Sequence, residues 1–520
     1  MKINIRLWLA IALGGWVFAS CVGDLDVIPL DPNMAVSETV YNTTADYKEG
    51  LAKLYATLAI SGQRGPDGLP DIEGIDEGFG NYLRQYWNHQ ELTTDEAVLS
   101  WNDATIKDFH WQTWTATDGF IAAMHSRIMY TVALSNEFIR VTAASEEEEI
   151  LRFRAEARFL RALAYSHGLD LFGTMPFVTE ENLPGAFFPE RISREDLFAY
   201  IESELLAIRD QLGPAKFEYG RADQGAAGML LAKLYLNAEV YVGEARYQDC
   251  IAALEPVLSG SYQISNQYLH SFVADNHTSP EMILALTYDG VETQTWGGMV
   301  YLLHAQIGGT MNALEIFGTS DAWSGLRTTS ALVNKFDLDN DSRALFWSDG
   351  QSLEIDDIGL FSDGYGITKF RNRKLNGDLS NSNHNVQVDT DFPLFRLADA
   401  YLMYAEAVLR GGGGDLTQAL AYVNELRERA YGDNSGNISA TQLTLDFILD
   451  ERARELFWEG HRRTDLIRFG QFTDGTYLWP WKGNVKEGKT TASFRNVFPV
   501  PANQLTANPN LIQNPGYSGN

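Results

Sequence analysis

The stretch Thr444–Gly470, TLDFILDERARELFWEGHRRTDLIRFG, carries the densest pattern in the chain. Leu445, Ile448, Leu449, Ala453, Leu456 and Phe457 recur at three- and four-residue intervals, which predicts one apolar stripe along an amphipathic helix. Thr444 is placed to accept a backbone N–H as N-cap, with Leu443 and Ile448 as a hydrophobic staple around it. Gly460 can take the left-handed conformation that ends a helix, and Leu466, Ile467 and Phe469 open a second apolar cluster before Gly470. The pattern predicts a helix–turn–helix. Charged residues crowd beside the stripe, among them Glu451, Arg452, Glu455, Glu459, Arg462 and Arg463. Such density can mark an acid–base site, but the same spacing makes ion pairs along a helix and across its turn, and that reading is preferred. Exposed pairs of this kind add little stability. Glu455 and Arg462 are expected to support the turn.

Working outward, helical periodicity is predicted at Thr44 to Ile60, Thr117 to Val141, Glu146 to Phe172, Ser193 to Leu212, Gly225 to Val242, Glu244 to Leu258, Leu397 to Leu409 and Leu416 to Ala430. Short connections between them suggest antiparallel pairs in a tetratricopeptide-like right-handed stack, although no strict 34-residue repeat is present. From Ser61 to Gly80, six glycines, two prolines and five acidic residues exclude a regular helix or central strand. Between Ser259 and about Pro393, glycine, asparagine and aspartate punctuate short apolar runs, which predicts a loop-rich subdomain.

Forty Lys and Arg against 69 Asp and Glu leave a formal charge of −29, which repels phosphate backbones and makes nucleic acid a poor partner. The N-terminus reads as a targeting segment. Lys2 and Arg6 give the positive start, Leu7 to Ala19 the apolar run, and Ser20 the small residue before Cys21. That run falls short of the roughly 20 residues a spanning helix needs. Phe18-Ala19-Ser20-Cys21 resembles a bacterial lipobox, with phenylalanine where leucine is usual, so Cys21 is the expected lipidation site and anchor. Cys250 then stands alone and reads as a buried apolar side chain, with no intramolecular disulfide in the mature chain.

No P-loop, G-x-S-x-G elbow or H-E-x-x-H helix is present, and no cofactor is expected. Paired carboxylates for glycoside hydrolysis are uninformative in so acidic a chain. Asp337-Leu-Asp339-Asn-Asp341-Ser resembles the start of a calcium loop, but Ser342 and Ser348 occupy the positions of its glycine and glutamate, so a solvated turn is expected and no metal. Carbohydrate binding asks for flat aromatic faces on loops, flanked by polar groups. Trp101, beside Asn102 and Asp103, lies in such a context, as do Trp296 in YDGVETQTWGG and Trp323 in GTSDAWSGLRTT. Trp479 and Trp481, in YLWPWKGN, read as structural.

Five blocks in order, EARFLRALAYSHGLDLFGTMPFV (Glu156 to Val178), AAGMLLAKLYLNAEVY (Ala226 to Tyr241), FRLADAYLMYAEAVLR (Phe395 to Arg410), ERARELFWEGHRRTDLIRFG (Glu451 to Gly470) and FPVPANQLTANPNLIQNPGY (Phe498 to Tyr517), resemble the SusD/RagB family of Bacteroidetes surface nutrient-binding lipoproteins. The middle, from about Phe272 to Asp391, matches by only a few residues. The resemblance implies a mainly α protein: signal peptide in residues 1–20, lipidated tether in 21–36, helical scaffold in 37–258 and 394–520, and a loop-rich ligand-binding subdomain in 259–393. It implies non-catalytic capture of an oligosaccharide at the outer-membrane surface and delivery to a TonB-dependent transporter resembling SusC. Peptide capture, as in the RagB branch, is the alternative, and a glycan-cleaving enzyme a third. The family's glycan-contacting aromatics match Trp101, Trp296 and Trp323, and Arg84 and Asn102 fit the accompanying polar contacts.

Overall fold

The computed structural model describes residues 40–62, 65, 66, 68–183, 185, 187–381 and 386–518, so the leader, Cys21 and the tether lie outside the described residues. Residues 1–47 form one unit, of which 40–47 are described, and residues 48–520 form the other. The principal helices are α1 (Thr44–Ala59), α2 (Tyr82–Gln90), α3 (Gly119–Thr142), α4 (Glu148–Phe172), α5 (Arg194–Ile208), α6 (Gln224–Leu236), α7 (Tyr247–Ala253), α8 (Gly298–Ala305), α9 (Leu397–Leu409), α10 (Leu416–Tyr431), α11 (Leu445–Leu456) and α12 (Arg462–Arg468). They pack largely in chain order: α3 on α4, α4 on α5, α5 on α6 and α6 on α7, after which α9 joins α7 and carries α10 and α11. This is the tetratricopeptide-like helical stack expected from the periodicity.

Local chemistry sets the helix starts. Asp118 accepts from the Phe120 and Ile121 N–H groups, Asp223 from Ala226, and Thr444 from Phe447 at 3.2 Å, each satisfying donors that a helix leaves open. The ends are less legible. Helix α6 stops at Leu236 because Asn237 leaves helical ψ and turns its amide back to the Lys233 carbonyl at 2.8 Å. The segment expected to be helical from Glu244 to Leu258 is regular only in α7 and in the turn Glu255–Leu258.

Between α7 and α9 the chain makes α8 and short antiparallel ladders. Strand β1 (Val98–Leu99) pairs with β3 (Leu326–Arg327), β2 (Met282–Leu286) with β6 (Phe392–Arg396), and β4 (Phe346–Trp347) with β5 (Gly366–Ile367). Helix α2 was not predicted. Seven of its nine residues are buried, polar Gln85, Asn88, His89 and Gln90 included, so the stripe of Tyr82, Leu83, Tyr86 and Trp87 is short and interrupted by polar residues.

The C-terminal motif corrects two expectations. Helix α11 ends at Leu456, not at Gly460: Phe457 turns extended, and Trp458 takes φ 65°. That conformation is unfavourable for a tryptophan, but the ring is fully buried and fixed by Glu96, whose carboxylate accepts the Trp458 backbone N–H at 3.1 Å and whose carbonyl accepts the indole N–H at 2.9 Å. The charged residues are likewise no surface pairs. Arg454 does reach Glu451 and Arg468 reaches Asp465 within the motif, yet the principal partners lie elsewhere and all are buried. Glu455 and Arg462 do not meet. Glu455 accepts from Arg396 at 2.7 Å, Arg343 at 3.1 Å and Arg429, while Arg462 grips both oxygens of Asp95 at 2.7 and 2.8 Å. Lys369 pairs with Glu459 at 2.7 Å, and Arg463 with Asp170 at 2.9 Å.

Burial would raise the Glu451 carboxyl, yet Arg343, Arg454 and Arg427 bring it down to about 2. The same opposition, through Arg429, Arg396 and Arg343, holds Glu455 well below the usual carboxylate range. A buried pair gains little over an apolar replacement, but losing one partner costs about 3–5 kcal/mol because the other charge is left bare. The network therefore specifies which elements meet.

In the segment resembling a calcium loop, Asp337 accepts from its own turn, at Asp339 N and Asn340 N, while Asp341 points inward to Arg343 at 2.7 Å. Among the described residues no group of three His, Cys, Asp or Glu is arranged to hold a metal, and no helix is long and apolar enough to cross a membrane. Cys250 is fully buried, which pushes its thiol pKa up.

Candidate functional site

Strand β1 delivers Trp101. Its register on β3 sets Val98 opposite Arg327 and Leu99 opposite Leu326, and the ladder continues as Ser100 N donates to the Gly325 carbonyl at 3.0 Å. The chain around Trp323 is fixed from the other side by the end of α8: Trp323 N donates to His304 O at 3.0 Å, Ser324 N to Ile307 O at 2.8 Å and Gly325 N to Ala305 O at 2.8 Å. The two tryptophans are thus tied to one frame. The Trp101 indole N–H donates to the Trp323 carbonyl at 3.1 Å, and the Trp323 indole N–H donates to Asp321 at 2.7 Å. Gly325 makes this possible, since a Cβ there would stand 2.9 Å from two atoms of the Trp101 ring.

Trp296 arrives from the loop before α8. Buried Glu77 accepts from Thr295 Oγ1 at 2.6 Å and from the Trp296 backbone N–H at 3.1 Å, and burial raises its carboxyl pKa against those two bonds. Trp323 stands in the middle of the set. Its ring centroid lies 6.3 Å from Trp101 with a 46° tilt and 6.4 Å from Trp296 with a 51° tilt. All three indoles are half-buried. The three tilted rings form one contiguous, partly exposed aromatic cluster, backed by α8.

Arg84 completes the surface. Asn81 caps α2 by accepting the Arg84 N–H at 3.1 Å, which sets the direction of the side chain. The guanidinium lies 4.2 Å from the Tyr301 ring centroid and 5.9 Å from that of Trp101. One terminal nitrogen donates to the Gly78 carbonyl at 3.2 Å, Nε has no hydrogen-bond partner, and no ion pair to Arg84 is present among the described residues. Burial lowers its pKa, and Tyr301 and the carboxylates of Asp76, Asp103 and Glu77 only partly offset it. With Nε buried, a cation half-sheltered by rings offers only its terminal nitrogens to an uncharged, oxygen-rich ligand.

Of the residues singled out from sequence, the structure brings together Trp101, Trp296, Trp323 and Arg84. Asn102 is exposed and its side-chain oxygen is taken by Lys107. Tyr301 and His304, which back Arg84 and Trp323, escaped the sequence reading. The His304 ring lies 5.1 Å from that of Trp323, and both backing residues sit in α8, an apolar octapeptide whose only signal is its composition. Trp479 is buried, and the Trp481 indole donates inward to Ile355 O at 2.9 Å.

The comparisons with known proteins agree with this architecture. The SusD family profile matches residues 334–517. Starch-binding protein SusD of Bacteroides thetaiotaomicron is 35% identical over 550 aligned residues, covering 96% of each chain. A SusD-like protein of Bacteroides ovatus is 25% identical, covering 89% of this chain and 82% of its own. Among solved structures, surface glycan-binding protein A from Bacteroides thetaiotaomicron in complex with laminarihexaose superposes with a TM-score of 0.69 over 91% of this chain and 100% of its own, at 19% identity. A SusD superfamily protein from Parabacteroides distasonis reaches 0.72 over 92% and 100%, at 20% identity. Such structural likeness at low identity speaks for the fold alone, while the 35% identity carried across nearly the whole length speaks for descent. With its helical stack, its buried C-terminal ion network and that full-length relative, this chain belongs to the SusD family.

Proposed function

We propose that the protein binds an oligosaccharide without cleaving it, on the surface made by Trp101, Trp323 and Trp296 with Arg84 at its edge. The observation that carries this reading is the run of three half-buried, mutually tilted indoles held on one frame. Two successive tilts of 46° and 51° offer ring faces to a ligand that turns from one sugar to the next, so that C–H faces meet indoles while hydroxyls meet the Arg84 donors. A bent glucan of the kind for which the 35%-identical relative is named is the first candidate. Relatives named for binding and not for catalysis support the non-catalytic part.

Capture at the cell surface follows from the leader and Cys21: a lipid anchor would hold the body outside the outer membrane, next to a SusC-like TonB-dependent transporter over which it closes. Titration calorimetry with maltoheptaose, laminarihexaose and a panel of unrelated peptides tests the ligand class, with reducing ends measured in parallel. Micromolar or tighter binding of a glycan, lost in Trp101→Ala and Trp323→Ala with stability kept, is the expected result. Binding of peptides only, undiminished binding in both variants, or release of new reducing ends would sink the reading. For the anchor, Cys21→Ala should leave the membrane fraction, and its continued sedimentation with membranes would refute lipidation.

A further inference from the structure

Beside the β4–β5 ladder lies a groove of about 540 Å³, lined among others by Glu315, Phe346, Trp347, Arg371, Arg373 and Lys374. Its volume is that of a small-molecule pocket. Both rings are half-buried. Phe346 packs edge-on against Phe336, with ring centroids 5.0 Å apart, and the Trp347 indole N–H donates to Thr310 Oγ1 at 3.0 Å and to Asp349 O at 3.1 Å. The rings are therefore held from behind, as they are at the tryptophan surface.

The cations separate this groove from that surface. In a chain of net charge −29, three basic side chains line this groove, none of them paired with a carboxylate among the described residues. Arg371 donates to Thr368 O at 2.9 Å, Arg373 to the carbonyls of Leu314 and Gly377 at 2.9 Å each, and Lys374 to the Asn381 side-chain oxygen at 2.7 Å. Among the described residues none of the three is in an ion pair. Glu315, the carboxylate on the groove wall, accepts from Asn312 at 2.8 Å and keeps its charge, so the three cations outnumber the one anion of the lining. Carbonyl partners satisfy N–H groups but leave the formal charge uncompensated, and burial lowers the Arg371 pKa with nothing offsetting it.

We infer that this groove is a second ligand site that takes an anionic sugar unit, carboxylated or sulfated, with Phe346 and Trp347 as its apolar wall and Arg371, Arg373 and Lys374 as its counter-charges. The inference rests on the glycan-binding reading of the protein. The two sites also share a support, since Thr310, which fixes Trp347, follows the segment whose carbonyls anchor Trp323 and Ser324.

Calorimetry on the whole soluble chain, with a galacturonate tetrasaccharide, its methyl ester and a sulfated galactan tetrasaccharide, tests the inference. At least one anionic probe should bind, at least about tenfold more tightly than the ester and more weakly as salt is raised. Whether the carboxylate or the sulfate wins identifies the source of the charge. The Arg371→Gln/Arg373→Gln double variant and Trp347→Ala should each lose that binding, while Trp101→Ala and Trp323→Ala keep it. Should the double variant fail to fold, Trp347→Ala decides. Absence of anion binding, equal binding of acid and ester, or loss only in the Trp101 and Trp323 variants would overturn the site. Maltoheptaose is read separately, so a silent tryptophan surface and a silent groove are distinguishable failures.

Discussion

Around Glu455 every charge meets its opposite at hydrogen-bonding distance, whereas around Arg84 the cation touches rings and a carbonyl, and the carboxylates of Asp76, Asp103 and Glu77 act on it only from beyond ion-pair distance. As sequence, the first read as helix ion pairs and the second as exposed aromatics on loops. Glu455 faces three arginines at hydrogen-bonding distance and Arg462 is gripped by Asp95 through both oxygens. Arg84 has no such grip: its guanidinium lies over Tyr301 and near Trp101 and donates to the Gly78 carbonyl, beside three half-buried indoles. Polar capacity that the fold uses up is structural, and capacity left over at a surface is available to a ligand.

Breaking the closed region should give the largest effect. Arg396→Met would leave the fully buried Glu455 to Arg343 and Arg429 and Glu459 to Lys369 alone, one cation short, and should cost up to about 3–5 kcal/mol in denaturant unfolding, with glycan affinity kept by the molecules that remain folded. A loss of affinity at unchanged stability would move that region into the functional class.

Acid should attack the same region next. The Glu451 pKa of about 2 in the fold lies below its ordinary 4.5, so its stabilisation is complete above about pH 4.5 and drains away as pH falls toward 2. Glu455 adds in the same direction. The melting temperature, followed downward from neutral pH, should therefore drop below about pH 4.5. A flat profile there would mean that these carboxylates are not held by their arginines.

A pair of tryptophans sharpens the contrast. Trp458→Ala, at a fully buried ring, should lose about 3–5 kcal/mol of stability. Trp323→Ala should stay close to the parent in melting temperature and lose roughly 30-fold in glycan affinity, the scale of a binding hot spot. Equal destabilisation by both would place Trp323 in the core. The smallest change is expected from Arg84→Met, which leaves no carboxylate stranded. It should be neutral for melting and weaken glycan binding by about tenfold, as read by calorimetry.

How much of this was legible depended on where each residue's partner lay. The C-terminal end of α9 and the Thr444 cap rest on neighbours within one turn, so they could be read from the chain itself. Glu455 could not be placed, because the spacing that makes a surface pair also occurs on a helix buried against Arg396 and Arg343 from remote segments. Helix α2 was hidden for a related reason: its stripe of Tyr82, Leu83, Tyr86 and Trp87 sits on a helix of only nine residues, and its buried polar residues look to remote segments, as Gln90 does to Asp170 at 2.9 Å. Trp101, Trp296 and Trp323 stood out because glycine and polar neighbours surround them. Their backing by Tyr301 and His304 did not, since an apolar octapeptide is silent about which ring it will meet.

The clamp of Arg462 on Asp95 joins positions 367 residues apart, and Asp95 lies in the segment that leads through β1 to Trp101. At about 5–20 residues per second, a ribosome needs roughly 20–70 s to pass from one to the other. For that interval Asp95 stands without the cation that grips both its oxygens, and a product cut short before Arg462 would keep that carboxylate without its arginine beside the strand that leads to Trp101.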